Sequence, residues 1–202
     1  MSGTKIKICG LLRHCDVSFV NDAMPDYTGF VFYDKSRRYV SFEQAKELRV
    51  AMRPAIKTVG VFVNAAIEQI ALLYSQNIIS VIQLHGSEDD AYIARLRALD
   101  PSAQIWKAYQ ITSDKDIQAA KGSTADIVLL DSGGGTGLPF DWWLLHGFSR
   151  PFVLAGGLTP ENIQEAVSRF HPYAVDISSG VESGGFKDRE RIIAAVKAAR
   201  GR

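Results

Sequence analysis

Cysteine is scarce in this chain of 202 residues, which has only Cys9 and Cys15. Two thiols cannot build a disulfide framework or a zinc cluster, and their C-x5-C spacing is not the CxxC of a redox motif. Charge of one sign is also missing: 23 Lys and Arg against 22 Asp and Glu leave a formal charge of +1. That excludes a protein that binds nucleic acid or an anionic membrane mainly through its field. Long apolar runs are absent too. The longest uncharged stretch, Gln69 to Ser87, is broken by Gln, Ser and Asn, which a bilayer-spanning helix would not carry together. Lys5, Lys7, Arg13, His14 and Asp16 break any secretory apolar region near the start. There is no GxSxG, Walker A or HExxH pattern, and His14, His146 and His171 lack the spacing of metal ligands. The expectation is a reduced, soluble, cytoplasmic protein. With 47% hydrophobic and 22% charged residues, wholesale disorder is out.

What the chain does have is alternation. Short runs rich in Val, Ile and Phe recur, each followed by a polar turn and a segment of helical period. The runs are Lys5–Cys9, Tyr27–Tyr33, Ile56–Val63, Ser80–His85, Gln104–Ile111, Asp126–Asp131, Pro151–Ala155 and Ala174–Ser178. Val59-Gly-Val-Phe-Val63 and Ile127-Val-Leu-Leu130 are apolar on both faces, as parallel strands covered by helices are. Helix-start chemistry sits between the runs. Ser41-Phe-Glu-Gln44 has capping-box spacing, and Thr159-Pro160 puts a cap residue before a proline at the first helical position. Ile163, Ala166, Val167 and Phe170 form one helical apolar face, as do Ile192, Val196 and Ala199. Tyr109 to Asp114 and Ser132 to Pro139 read as loops. Eight βα units at roughly 25 residues each sit near the lower limit of a closed barrel. The expected fold is α/β, a single (β/α)8 TIM barrel forming one domain over residues 1–202; an open doubly wound sheet fits eight uninterrupted strands less well.

In such a barrel the chemistry lies on loops leaving the C-terminal ends of the strands. Reactive side chains and glycines concentrate there. Gly156-Gly157 and Ser179-Gly180 follow strands seven and eight, where glycine lets backbone N–H groups approach a phosphate. Taken singly, each pair reads equally as a tight turn. Gly134 and Gly135, after strand six, fit either a lid over the same phosphate or a plain flexible loop. Cys9 ends strand one and reads either as a small buried hydrophobe or as a thiol that becomes a proton-abstracting thiolate. Asp131 ends strand six and reads either as a general acid or as a turn residue. In a closed ring, strands seven and eight lie between six and one. Asp131 and Cys9 would therefore flank a phosphate held there, a layout that suits isomerisation of a sugar phosphate without a cofactor. Arg38, with Lys35 and Arg37 on the loop after strand two, fits a second anionic group across the mouth or a solvated loop. Cys15 reads as structural, Trp142-Trp143 as helix packing, Phe32 as core and Tyr33 as a pocket wall.

Several motifs in order are similar to the phosphoribosylanthranilate isomerase family. They are Lys7-Ile-Cys-Gly10, Gly29-Phe-Val-Phe-Tyr33 with Ser36-Arg-Arg-Tyr39, Gly60-Val-Phe-Val-Asn64, Ile82-Gln-Leu-His-Gly86 and Leu129-Leu-Asp131. Phe140-Asp-Trp142, Ala155-Gly-Gly-Leu158 with Pro160-Glu-Asn162, and Val175-Asp-Ile-Ser-Ser-Gly-Val-Glu182 complete the set. The resemblance implies an Amadori rearrangement of N-(5'-phosphoribosyl)anthranilate in tryptophan biosynthesis, with no cofactor, no metal and a small-molecule substrate. It implies Cys9 as general base, Asp131 as general acid and Arg38 against the anthranilate carboxylate. Gln83, His85 and Asp176 would lie near the substrate. Gly134, Gly135, Gly156, Gly157, Ser179 and Gly180 would serve the phosphate. No nucleic acid or membrane partner is expected, and the oligomeric state stays open. The chain departs from the family pattern at Leu138-Pro139, where Lys-Thr is expected, and in the loop Gly10 to Cys15. Two other readings compete. A related sugar-phosphate barrel would want a lysine or metal-binding histidines at strand ends, whereas only His85 is there and Lys107 lies inside strand five. A catalytically silent scaffold barrel has only the Leu138-Pro139 change in its favour.

Overall fold

All eight apolar runs become strands of a closed parallel barrel: β1 (Lys5–Cys9), β2 (Tyr27–Val31), β3 (Lys57–Phe62), β4 (Val81–Leu84), β5 (Ile105–Gln110), β6 (Ile127–Asp131), β7 (Phe152–Ala155) and β8 (Ala174–Ile177). The barrel closes by pairing β1 with β8, with Lys7 beside Asp176. The computed structural model describes residues 3–131, 145 and 147–201. The predicted (β/α)8 class is the observed one, and the open sheet is ruled out by this closure. Among the described residues the intervening helices are α1 (His14–Ala23), α2 (Phe42–Ala51), α3 (Ile67–Ser75), α4 (Asp90–Leu99), α5 (Asp114–Gly122), α6 (Ile163–Phe170) and α7 (Arg189–Ala199). None is long and apolar enough to cross a membrane.

Successive side chains of a strand point to opposite faces, and that period of two sorts the residues of the barrel. On β1, Ile6 and Ile8 join the large apolar layer between barrel and helices. On β6, Val128 and Leu130 do the same, whereas Ile127 and Leu129 fill the barrel interior with Tyr27, Val59, Val81, Trp106, Val153 and Ala174. The interior is graded in size. Trp106 and Tyr27 meet edge to face at 5.0 Å and block the lower barrel, a geometry worth about 0.5–1.5 kcal/mol beyond simple burial. Higher up, small residues such as Gly29, Ala108 and Ala155 replace them. The top of the barrel stays open as a result.

Local signals hold with three differences. Ser41 caps α2 by accepting from the Gln44 amide at 3.1 Å, but the Gln44 side chain does not turn back to close the box. It donates to the Leu12 carbonyl at 2.8 Å instead, tying α2 to the loop after β1. The Thr159 carbonyl accepts from Asn162 and Ile163 as expected of a helix start, yet regular helix begins only at Ile163. Strand β5 also continues to Gln110, so the expected loop from Tyr109 is shorter. The expected loop from Ser132 to Pro139 lies outside the described residues.

An element with no counterpart in the sequence reading sits between β8 and α7. A 3-10 turn (Ser179–Val181) leads into a two-stranded hairpin, β9 (Glu182–Ser183) and β10 (Phe186–Lys187). Its turn residues Gly184 and Gly185 have φ of +59° and +85°, the positive values that a tight two-residue hairpin demands. The register places Lys187 opposite Glu182.

Candidate active site

The C-terminal ends of the strands surround a cavity of about 560 Å³. Its wall includes Cys9, Arg38, Gln83, His85, Asp131, Asp176, Gly156, Gly157 and Ser179, nine of the twelve expected site residues. The strand period explains the convergence. Cys9, Gln83, Asp131 and Asp176 occupy inward positions on β1, β4, β6 and β8, each alternating with outward apolar neighbours. Gly134, Gly135 and the Leu138-Pro139 change lie outside the described residues. Gly180 is not in the cavity wall. A side chain there would collide with the Leu158 carbonyl, so this glycine lets the turn after β8 pack on the loop after β7.

Cys9 stands beside Gly29, its register partner on β2. A Cβ on Gly29 would lie 2.7 Å from the Cys9 sulfur, so the glycine is what leaves room for the thiol. Burial pushes the thiol above its ordinary range, and the ammonium of Lys7 pulls it back. Across the mouth, Asp131 approaches His85 at 3.6 Å between Oδ2 and Nε2, close but beyond hydrogen-bond distance. Burial lowers the His85 pKa from its usual value, against the opposing pull of Asp131, so the imidazole is neutral at pH 7. Its Nδ1 lies 3.4 Å from Gln83 Nε2. Gln83 Oε1 and Asp176 Oδ1 are buried without a hydrogen-bond partner among the described residues, two acceptors facing a site built to receive donors.

Beside the turn after β8, Arg38 is fixed in place by Glu182, two residues beyond Gly180. Its Nε and Nη2 donate to the two carboxylate oxygens at 2.7 and 2.9 Å, the paired geometry that fits guanidinium to carboxylate. Arg37 and Lys187 converge on the same carboxylate, each at 2.7 Å. Burial raises the Glu182 pKa, but hydrogen bonds from Arg38 and Lys187 outweigh it, and the group stays below the ordinary carboxylate range. Three cations on one carboxylate leave the rim positive, which favours an anionic ligand. Tyr33 completes that side of the cavity, while Phe32 stacks on Phe62 at 5.2 Å in the core.

On the phosphate side, Gly156 and Gly157 take φ of +88° and +63°, left-handed conformations that glycine adopts without strain. Asn162 pins this loop, accepting from Thr159 N at 2.8 Å and donating to Gly157 O at 2.9 Å. Ser178 donates to the Cys9 carbonyl at 3.1 Å, joining the end of β8 to that of β1. The divergent loop after β1 is equally well held. The Asp16 carboxylate accepts from the Leu12 and Arg13 amides, and Arg13 lies over the Phe186 ring of the hairpin at 4.6 Å. Cys15 is exposed in the first turn of α1, away from the mouth.

Sequence reasoning missed Lys7, Glu182 and Lys187 as site residues. Lys7 had a signal: it lies two residues before Cys9 and so shares its inward face. Glu182 and Lys187 had a weaker one, the Gly184-Gly185 pair that marks a hairpin and sets them opposite each other. Lys107 belongs elsewhere. It is buried outside the barrel and donates to Gly86 O at 2.7 Å and Glu88 at 3.2 Å, so it is no strand-end catalytic lysine. Among the described residues no group of three or more His, Cys, Asp or Glu is arranged to hold a metal ion.

The chain matches the family model described as N-(5'phosphoribosyl)anthranilate (PRA) isomerase over residues 6–198. An N-(5'-phosphoribosyl)anthranilate isomerase of Endomicrobium trichonymphae is 48% identical over 198 residues, covering 96% of each chain. The phosphoribosyl anthranilate isomerase structure from Thermotoga maritima is 36% identical, with a TM-score of 0.89 and coverage of 98% of this chain and 99% of that one. A further isomerase structure, in complex with reduced 1-(o-carboxyphenylamino)-1-deoxyribulose 5-phosphate, is 35% identical with a TM-score of 0.86, covering 98% and 99%. The chain belongs to the phosphoribosylanthranilate isomerase family, and its activity is an aldose–ketose isomerisation in tryptophan biosynthesis.

Proposed function

We propose that the barrel mouth rearranges N-(5'-phosphoribosyl)anthranilate with Cys9 as general base and Asp131 as general acid. The observation that carries this reading is the placement of the two groups in one cavity, on β1 and β6, with the glycine loops after β7 and β8 between them. In the proposed sequence Asp131 gives its proton to the ribose ring oxygen as the C–O bond opens, leaving an iminium at C1. Cys9, as thiolate, takes the proton from C2, and the electrons of that C–H bond neutralise the iminium. The resulting enol-amine tautomerises to the ketone. Positioned proton transfer of this kind contributes typically 10²–10⁴-fold each.

Arg38, held by Glu182, receives the anthranilate carboxylate. Backbone groups of Gly156, Gly157 and Ser179 receive the phosphate in the turn that Gly180 shapes, and Gly134 and Gly135 are further phosphate ligands in this reading. The unpartnered oxygens of Asp176 and Gln83 accept ribose hydroxyls. The ligand of the related complex, reduced 1-(o-carboxyphenylamino)-1-deoxyribulose 5-phosphate, has the same three parts, a carboxyphenyl group, a sugar chain and a phosphate. The substrate is thus a small molecule; nucleic acid and membrane are not partners in this reading, and a protein with two unpaired cysteines works in the cytoplasm.

Turnover is read by the loss of anthranilate-type fluorescence on incubation with phosphoribosylanthranilate. Cys9→Ala and Asp131→Asn are each expected to lower kcat by at least about 10²-fold with circular dichroism unchanged. A Cys9→Ala protein with near-normal rates would reassign the base.

A further inference from the structure

Lys7 is the only lysine whose side chain is wholly enclosed among the described residues that line or underlie the mouth. Its side chain is 0% exposed, and its Nζ meets Asp176 Oδ2 at 2.7 Å. It stands two residues before Cys9 on the same inward face of β1, directly below the thiol. Gly29 reports the closeness of the two: a Cβ there would touch both the Cys9 sulfur, at 2.7 Å, and Lys7 Cε, at 3.2 Å. The ammonium and the thiol therefore share one pocket of space that the glycine leaves open. A buried cation of this kind is costly, and it persists because Asp176 partners it from β8.

We propose that Lys7 is the residue that lets Cys9 ionise: its ammonium, anchored by Asp176, is the fixed positive charge that stabilises the Cys9 thiolate. This rests on the reading of Cys9 as base, and it assigns Lys7 as a positioning residue that acts through the thiol. The proton balance is simple. The Cys9 thiol releases its proton to solvent through the open mouth, Lys7 keeps its own, and the thiolate is then free to take the substrate C2 proton. Burial and Asp176 both hold the thiol in its neutral form, whereas Lys7 is the largest opposing influence. Burial draws the Lys7 pKa down, but Asp176 and Cys9 together outweigh it and keep the group protonated.

The other groups around Cys9 are less suited to the task. Lys187, from β10, has its charge taken by Glu182 at 2.7 Å and by the Ser178 carbonyl at 2.9 Å. Arg38, from the loop after β2, is paired with Glu182 too. His85 and Asp131 face from β4 and β6 across the cavity, and the first is neutral at pH 7. Asp176, from β8, carries the wrong sign to help the thiolate directly. Its part is to hold Lys7.

The test is the pH dependence of iodoacetamide alkylation at Cys9, followed by peptide mass in a Cys15→Ser background, beside the pH profile of kcat/KM. For Lys7→Met the alkylation midpoint is expected to rise by at least about one pH unit, and kcat/KM near neutral pH to fall about tenfold for each unit. Lys7→Arg, which keeps the charge, is expected to recover most of both. If Lys7→Met does not fold, Lys7→Gln, which still donates to Asp176, answers the same question. An unchanged alkylation midpoint in the folded variant overturns the proposal and leaves Cys9 as base intact. A midpoint that shifts while the kcat/KM profile stays put sustains the charge effect and overturns Cys9 as base.

Discussion

Of the three buried lysine–carboxylate pairs among the described residues, the two on barrel strands β1 and β5 are built to different standards. Lys107 and Glu88, outside the barrel, form a complete network. Glu88 accepts from Asn64 N at 2.6 Å, Gly86 N at 2.8 Å and Lys107 Nζ at 3.2 Å, while Lys107 also donates to Gly86 O at 2.7 Å. It clamps the loops after β3 and β4 together. Lys7 and Asp176, inside the barrel, form an incomplete one: Asp176 Oδ1 has no partner among the described residues, and the thiol beside it is held away from its ordinary range. The difference teaches that burial of charge alone does not mark function. A network closed on itself stabilises; one left open at the edge of a cavity is held for a ligand.

The largest effect expected from this contrast is on stability, at the closed pair. Lys107→Met leaves Glu88 as an uncompensated buried charge and is expected to cost about 3–5 kcal/mol in urea unfolding. The kcat of the folded fraction should change no more than a few-fold, because Lys107 does not touch the catalytic cavity. Adding Glu88→Gln to that variant should restore part of the stability, since it removes the orphaned charge. Lys7→Met should reverse the pattern, losing more in activity than in stability, because Asp176 borders the cavity. If Lys107→Met instead abolished turnover of folded protein, the separation of the two pairs into structure and chemistry would fail.

A middle-sized effect is expected at Gly29, which sets the spacing of thiol and ammonium. An alanine there meets the Cys9 sulfur at 2.7 Å and the Cys9 Cα at 3.2 Å, so strand β1 must shift. Overpacking of this kind costs roughly 1–3 kcal/mol. Unlike Lys107→Met, Gly29→Ala should damage both quantities, lowering kcat together with the midpoint of thermal unfolding. A variant that lost stability with wild-type kcat would show that the position of the thiol is less tightly set than the contact implies.

How far this contrast was legible in the sequence depends on the range of the interaction. The period of two within strands brought Cys9, Gln83, Asp131 and Asp176 to one mouth, because alternation is local and needs no tertiary knowledge. Lys7 was legible by the same rule, but attention to strand ends passed over a lysine in mid-strand. The Arg38–Glu182 pair spans 144 positions and depends on the hairpin register, so only the Gly184-Gly185 turn hinted at it. The Glu88–Lys107 network joins loop to strand by side chains 19 positions apart, with nothing periodic to announce it. Gln44 illustrates the opposite failure. Its capping role was a sound local expectation, and a carbonyl of the neighbouring loop took the side chain instead.

The smallest predicted effect separates location from completeness. At the lower end of the barrel Tyr173 accepts from Lys5 Nζ at 2.8 Å and pairs with the Tyr27 hydroxyl at 2.8 Å. This network is inside the barrel, like Lys7 and Asp176, yet its members satisfy one another, like Lys107 and Glu88. If completeness is what distinguishes a structural network, Tyr173→Phe should cost only about 0.5–1.5 kcal/mol, the net worth of a hydrogen bond, and leave kcat and KM unchanged. The Trp106 and Tyr27 rings stand between it and the mouth, so no rearrangement there has a route to Cys9. Denaturant unfolding beside steady-state kinetics decides the matter. A Tyr173→Phe protein with intact stability and altered kcat would make the barrel interior, not the open valence of Asp176, the property that matters.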